Sequence, residues 1–193
     1  MRFLFPIVIA ASLLGCDTSS TNTRKTESST DSTDQPIVAD PVLADPATVQ
    51  VNVGEPSHNS PVAVGAALDR NKAVVNGQAQ LVIRAKIADG WHIYAADGPT
   101  GVGRPTKCVL KLPSGIMAGQ WSLPEAELKD SSQGPVGMYH DEVLLSVPLT
   151  ISANVRPGEG QIECEFHYQP CTDQQCLRPT ATKLVVPILI AVK

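Results

Sequence analysis

Two cysteines, Cys171 and Cys176, have the residue type and spacing that most directly suggest chemistry in this chain. Four residues separate them, a strand-like segment precedes them, and Pro179 ends the turn that follows. A disulfide across so short a loop stabilises a fold by only about 2 kcal/mol, against about 4 kcal/mol for a loop as long as that between Cys108 and Cys164. Such a weak constraint, at a strand end that solvent can reach, suggests thiol–disulfide exchange rather than reinforcement.

Three kinds of site fit this pair: a redox-active disulfide, an inert structural bridge and a zinc site. Exchange needs an accessible sulfur and a thiolate, which Arg178 and either His92 or His167 could stabilise and Asp173 would oppose. Zinc needs further ligands, but the spacing is unusual and no second ligand pair is evident. Spacing and exposure therefore favour the redox-active pair, with the structural bridge as its main rival, and no metal site is predicted.

The first sixteen residues predict that the protein is exported. They contain one positive charge, an apolar run and small residues before Cys16, which is the pattern of a secretory signal. The ending Leu13-Leu14-Gly15-Cys16 resembles the bacterial lipobox, in which the cysteine receives lipid and becomes the mature N-terminus. An ordinary signal peptide that happens to contain Cys16 is the alternative. The predicted location is the bacterial cell envelope, lipid-anchored and facing the periplasm, and Asp17 slightly favours the inner membrane.

Export also determines how the cysteines are counted. An oxidising compartment allows lasting disulfides, yet the chain has five cysteines, an odd number. Assigning Cys16 to lipid leaves Cys108, Cys164, Cys171 and Cys176. Cys108 and Cys164 both fall on apolar faces of predicted strands, and inward positions on opposite sheets of a sandwich can meet. A structural disulfide and two separately buried thiols are both compatible with this pattern.

The composition argues against nucleic acid as a partner and distinguishes a predicted tether from the predicted folded domain. The net charge is -4 and no basic cluster is present, which argues against nucleic acid as a partner. Residues 17–65 are rich in Ser, Thr, Asp and Pro and have few large apolar side chains. Such a segment cannot offset the entropy lost on ordering, so it is predicted to be a flexible tether that holds the folded domain away from the membrane.

Residues 66–193 alternate between strand patterns and turns. The predicted strands are 79–87, 91–94, 107–112, 142–151, 161–168 and 182–190. The region between Trp121 and residue 141 is interpreted as a polar connection, with a loop at 133–137. No segment longer than a turn shows a helical period. This pattern predicts an all-β antiparallel sandwich in a single domain.

The part of the chain from about Val74 onward resembles the N-terminal periplasmic domain of the thiol:disulfide interchange protein DsbD. Three stretches carry the resemblance. Residues 89–95 are similar to the family's Gly-aromatic-x-x-Tyr strand, and residues 103–115 to its Pro-Thr strand and turn. Residues 168–179 match the more specific Tyr-Gln-x-Cys…Cys-x-x-Pro signature. The resemblance implies an immunoglobulin-like β-sandwich.

The resemblance also implies an electron relay with protein-disulfide reductase activity and no cofactor. Cys176 would engage partners and Cys171 would resolve the mixed disulfide, with Tyr94 and His92 lining the site. The expected partners are thioredoxin-fold or membrane-embedded redox proteins and oxidised periplasmic proteins. Because the chain contains neither membrane helices nor a thioredoxin-like domain, the electron donor is expected to be another protein.

Two departures from the family remain. The family's best-known member shields its disulfide with an aromatic residue on a cap loop, whereas the corresponding region, 137–142, offers Met138 or Tyr139. Cys108 and Cys164 have no part in the family's chemistry. The prediction is a lipid-anchored redox domain. Its rival is a non-catalytic binding or assembly module in which Cys171 and Cys176 form a permanent bridge.

Overall fold

The computed structural model describes residues 42–101, 103–132 and 134–192. The predicted signal peptide, the predicted lipidation site Cys16, and residues 17–41 of the predicted tether lie outside these ranges. In the described part of the chain, no helix has the length and hydrophobicity needed to cross a membrane.

Across these residues the protein is built almost entirely from β-strands. A short 3₁₀ helix spans Pro46–Thr48, where Asp45 caps the first turn. The strands are β1 (Val62–Leu68), β2 (Lys72–Val74), β3 (Gln78–Ile87), β4 (Ile93–Tyr94), β5 (Lys107–Lys111), β6 (Ile116–Ala118), β7 (Glu127–Ser131), β8 (Gly134–Tyr139), β9 (Glu142–Ile151), β10 (Gly158–Tyr168) and β11 (Thr180–Ala191). The predicted all-β fold is confirmed, and the architecture is an immunoglobulin-like antiparallel β-sandwich.

The strands form two four-stranded sheets and one smaller sheet. The first has the order β1-β3-β9-β6 and the second the order β2-β11-β10-β5. The third, β4-β8-β7, lies close to the cysteine loop because His92, just before β4, pairs with Cys171. Neighbouring strands run antiparallel except for β2, which is parallel to β11.

The core lies between the two large sheets. Side chains alternate along each strand, so every second residue of β3, β9 and β10 points inward. Ile83 and Leu145 of the first sheet pack with Phe166 of the second, and all three side chains are buried. A second cluster toward the other end of the strands includes Leu149 and Ile188.

The structure corrects the expected placement of Cys108 and Cys164. These residues do not face each other from opposite sheets, because β5 and β10 are neighbours in the same sheet. In the structure both are free thiols, Cys164 buried and Cys108 partly buried.

The predicted loop at 133–137 also differs from the structure. Strands β7 (Glu127–Ser131) and β8 (Gly134–Tyr139) pair with each other as a hairpin, and β8 also pairs with β4. The sequence pattern did not predict this hairpin because all five residues of β7 are exposed and apolar residues do not alternate along it. Its strand conformation is instead maintained by backbone hydrogen bonds to β8, which a hydrophobic pattern does not reveal.

The folded domain begins earlier than residue 66, the predicted boundary. Strand β1 starts at Val62, and the preceding segment already contacts the domain. The amide of Ala44 donates a hydrogen bond to the Asp69 carboxylate, with a distance of 3.3 Å. A side chain at Gly65 would approach the carbonyl oxygen of Asn52 to 2.2 Å, so glycine permits this close backbone approach. Local composition did not reveal these contacts because they join residues distant in sequence.

The packing of the core predicts a large effect for truncation of Leu149. Leu149→Ala should reduce the free energy of unfolding by about 2–5 kcal/mol, since it leaves a cavity between the sheets. Leu189→Ala is the matched control because that leucine, on β11, is 41% exposed, and its loss should be below about 1 kcal/mol. Urea unfolding measures both values. Equal losses for the two variants would contradict the assignment of the core.

Candidate disulfide site

Cys171 and Cys176 form a disulfide at the end of β10. Their Cα atoms are 4.0 Å apart, and the two residues face each other across a tight turn. Inside the turn the amide of Thr172 donates to the carbonyl of Gln175 over 2.7 Å. The Thr172 hydroxyl in turn accepts hydrogen bonds from the amides of Gln174 and Gln175. The polar residues of the loop therefore give it a defined conformation.

The two sulfur-bearing residues have very different surroundings. Cys171 is fully buried, with 0% exposure, and packs with Tyr94, Val136 and Met138. Cys176 is exposed. An incoming thiolate must reach a sulfur from the side opposite the bond that breaks, so accessibility decides which sulfur reacts. The arrangement presents Cys176 to a partner and withholds Cys171.

The segment around β4 places two aromatic side chains beside the disulfide. The amide of His92 donates to the carbonyl of Cys171 over 2.8 Å, and the amide of Cys171 donates back over 2.9 Å. Two residues further along, the Tyr94 hydroxyl lies 3.8 Å from Sγ of Cys176. The rings of His92 and Tyr94 meet edge to face, with centroids 5.7 Å apart. The structure thus brings both predicted lining residues next to the cysteine pair.

Tyr94 is held in position from several sides. Its carbonyl accepts hydrogen bonds from the amide of Thr106 at 3.1 Å and from the hydroxyl of Thr106 at 2.6 Å. Gly103 lies against its ring, where a Cβ atom would come within 2.1 Å of the ring carbons. Only glycine allows this approach, which fixes the direction in which the Tyr94 hydroxyl points.

The β7–β8 hairpin forms the other wall of the site. Met138 of β8 pairs with Tyr94 across the strands, and its side chain belongs to the same apolar cluster as Cys171. At the tip of the site, the Lys129 ammonium group forms an ion pair with the Asp173 carboxylate, at 2.5 Å. Both partners of this ion pair are exposed, so it orients the hairpin more than it stabilises the fold.

Burial and charge keep His92 neutral near pH 7. Burial lowers the pKa of His92, and the adjacent ring of His140, 5.6 Å away between centroids, lowers it further. The Lys129 ammonium group donates a hydrogen bond to the Asp173 carboxylate, which lowers the pKa of Asp173.

Among the described residues, three that were considered from sequence form no hydrogen bond with the cysteine pair. Tyr139 faces the opposite side of β8 from Met138, and its hydroxyl accepts a hydrogen bond from Ala96 in the main core. The apolar residues of β8 that pack with Cys171 are Val136 and Met138. Arg178 is exposed and, within the described ranges, makes neither a hydrogen bond nor an ion pair. His167 lies outside the site on β10, beside Glu165 at 3.3 Å.

The sequence alone missed Lys129 and Gly103 as parts of the site. Lys129 was overlooked because its strand carries no hydrophobic pattern, and its partner Asp173 is 44 residues away. Gly103 stands two residues before a Pro-Thr pair, which indicates a turn but not a contact with an aromatic ring. In the part of the chain that the structure describes, no three His, Cys, Asp or Glu side chains come together as a metal site.

Comparison with solved structures found several domains similar to this chain. The N-terminal periplasmic domain of ScsB from Proteus mirabilis shares 18% identity over 64% of this chain and 44% of its own, with a TM-score of 0.46. The N-terminal domain of Neisseria meningitidis DsbD in the reduced form shares 25% identity over 54% of this chain and 74% of its own, with a TM-score of 0.38. The same domain in a complex with the N-terminal domain of PilB gives 22% identity, coverages of 55% and 73%, and a TM-score of 0.41.

This chain thus spans less than half the length of the first of these structures. Comparison with curated proteins gave no match. A family model matches far more directly, since the model for the N-terminal part of the thiol:disulfide interchange protein DsbD covers residues 59–187 of the 193. The matched range contains the whole cysteine loop, and it ends four residues before the end of β11. The chain belongs to the family of DsbD N-terminal domains.

Proposed function

We propose that this protein is a membrane-anchored thiol–disulfide exchange domain that relays electrons between partner proteins through Cys171 and Cys176. The observation that carries the proposal is the difference in solvent exposure between the two cysteines, since Cys176 is exposed and Cys171 is fully buried. A purely structural bridge has no need for one accessible sulfur. An exchange site does, because a partner must reach one sulfur while the other remains available for resolution.

In the oxidised domain the reaction begins at Cys176. A partner's thiolate attacks Sγ of Cys176, the bond to Cys171 breaks, and Cys171 leaves as a thiolate. A second thiol of the partner then attacks the partner's own sulfur in the mixed disulfide and releases Cys176. Two electrons and two protons have passed to the domain, which now holds two thiols, and the partner holds a disulfide. The protein itself supplies both reacting sulfurs, so no cofactor takes part.

The reduced domain can pass these electrons on. The thiolate of Cys176 attacks a partner's disulfide, forms a mixed disulfide and expels one partner thiolate. Cys171 then attacks Sγ of Cys176, which restores the internal disulfide and releases the second partner thiol. The Tyr94 hydroxyl, 3.8 Å from that sulfur, can donate a hydrogen bond to the thiolate in this state.

The proposed compartment and partners follow from the leader sequence and the family. Residues up to Cys16 have the pattern of a lipoprotein signal, and Ser/Thr/Asp-rich sequence would separate the domain from the membrane. One related structure is a complex between the DsbD and PilB N-terminal domains. We therefore infer that the partners are thioredoxin-fold or membrane-embedded redox proteins and oxidised periplasmic proteins, met on the periplasmic side of the inner membrane.

The difference in exposure between Cys171 and Cys176 predicts which single variant traps a partner. Cys171→Ser leaves Cys176 without its resolving thiol, so mixed disulfides with cellular proteins should accumulate and appear on non-reducing gels. Cys176→Ser is the matched control. Of this pair only the buried Cys171 remains, so few or no adducts should form through it. Equal trapping by both variants, or none by Cys171→Ser, would contradict the proposal and favour a binding module with a permanent bridge.

A second prediction concerns the hydroxyl of Tyr94. Tyr94→Phe should raise the pKa of Cys176 in the reduced domain, because a hydrogen bond of about 1 kcal/mol to the thiolate is lost. This change reduces the thiolate fraction about fivefold, but a more basic thiolate is intrinsically more nucleophilic, so reaction with a model disulfide near pH 7 should slow roughly two- to threefold. Ultraviolet absorbance of the thiolate gives the pKa, and stopped-flow kinetics the rate.

The control for this variant is Tyr168→Phe. The Tyr168 hydroxyl contacts Thr182 at 3.4 Å on a different strand pair, so its removal should leave the pKa of Cys176 unchanged. If the two Tyr→Phe variants behave alike, the Tyr94 hydroxyl does not act on the sulfur.

A further inference from the structure

A second pair of sulfurs lies in the wall of the sandwich, away from the cysteine loop. Cys108 of β5 pairs in register with Phe166, and Cys164 of β10 pairs with Leu110. The two cysteines are therefore diagonal neighbours on adjacent strands, and both point toward the core. Their side chains belong to one apolar cluster. The exchange reaction at Cys171 and Cys176 does not use them.

The thiols of Cys108 and Cys164 affect each other's ionisation. The interaction with Cys164 raises the pKa of Cys108, with burial adding to the effect. The same interaction lowers the pKa of Cys164. Cys164 is therefore the more acidic of the two thiols, and once ionised its sulfur can act as a base toward Cys108.

Access to the pair runs through Cys108. Cys164 is 1% exposed, whereas Cys108 is only partly buried. A cavity of about 180 Å³ is lined by Cys108 together with Trp121, Leu123 and other mostly apolar residues. This opening fits a small molecule or an extended side chain but not a folded domain. A reagent that enters it meets Cys108 first.

We propose that Cys108 and Cys164 are a second oxidisable dithiol, which closes to a disulfide by exchange with small-molecule disulfides of the glutathione class. The inference goes beyond the proposed relay, because it concerns different sulfurs and a different class of reactant. The proposal rests on two geometric observations: the diagonal positions of the two cysteines on adjacent strands, and a cavity that is lined by Cys108 but not by Cys164.

The reaction has two balanced steps. Sγ of Cys108 attacks one sulfur of the small disulfide as its proton passes to the Cys164 thiolate, and one small thiolate leaves. Cys164 then loses its proton to that thiolate and attacks Sγ of Cys108, which expels the second small thiolate. Counted from one thiol and one thiolate, the pair loses two electrons and one proton, and the small disulfide becomes one thiol and one thiolate, which takes its proton from water.

The strand geometry makes this disulfide reversible. Diagonal neighbours across antiparallel strands lie about 7–8 Å apart at Cα, whereas disulfides span about 4.4–6.8 Å. Closure therefore needs a small displacement of one strand. Strand β5 can provide it, because it has five residues and lies at the edge of its sheet. A bond formed against this resistance is reduced more easily than an unstrained structural disulfide.

The test maps each cysteine in the full chain carrying Cys16→Ala. The protein is incubated with oxidised glutathione, quenched with acid, alkylated and analysed by peptide mass spectrometry. Before treatment both thiols should be alkylated; after treatment the free thiols of this pair should fall from two to none, with Cys108 linked to Cys164. Dithiothreitol should restore both. Persistence of the two thiols in the folded protein, or a link that forms only in denaturant, would overturn the proposal.

Two single variants test the order of the steps. Cys164→Ser should accumulate a stable glutathione adduct on Cys108, and Cys108→Ser should leave Cys164 unmodified because it is buried. A preferred adduct on Cys164 would overturn the assigned route. The double variant Cys171→Ser/Cys176→Ser separates this proposal from the relay: the Cys108–Cys164 link should form in it as in the parent. Loss of the link there would show that it depends on the first pair and would refute independent closure.

Discussion

The reciprocal backbone hydrogen bonds between His92 and Cys171 are the contact on which the site depends. They attach the cysteine loop to the strand that also carries Tyr94. Because Cys171 is fixed in this ladder, its side chain is enclosed, and the turn that follows must bring Cys176 back to the surface. The unequal exposure of the two residues is thus a consequence of main-chain pairing rather than of the sulfurs themselves.

The sandwich makes this pairing possible and connects it to the second sulfur pair. Strand β10 carries Cys164 within the core and ends just before the cysteine loop. Strand β5 carries Cys108, two residues after Thr106, whose amide and hydroxyl hold the carbonyl of Tyr94. Strand β10 therefore connects the two pairs, while β5 reaches the cysteine loop only indirectly, through Thr106 and Tyr94.

Much of the fold could be predicted from the alternation of apolar and polar residues along the strands. The parts that could not be predicted are strands that lack this alternation. The ten residues of β9 coincide with the predicted strand because their apolar pattern is strong. The pattern on β7 is absent, so the hairpin and Lys129 could not be found. For the site, local sequence indicated the cysteines and the family resemblance indicated Tyr94, whereas the choice of Met138 over Tyr139 depends on which face of β8 turns toward the loop. Pairing of β8 with β4 determines which face turns toward the loop, and these two strands are distant in the sequence.

The most direct test of electron relay is the reduction potential of the Cys171–Cys176 pair. It is measured by redox titration of the Cys108→Ser/Cys164→Ser variant, in which no other described cysteines contribute. A relay predicts a value in the range of known exchange proteins, about -120 to -270 mV. A value below about -300 mV would make the bond resistant to physiological donors and would contradict the relay, leaving a structural disulfide.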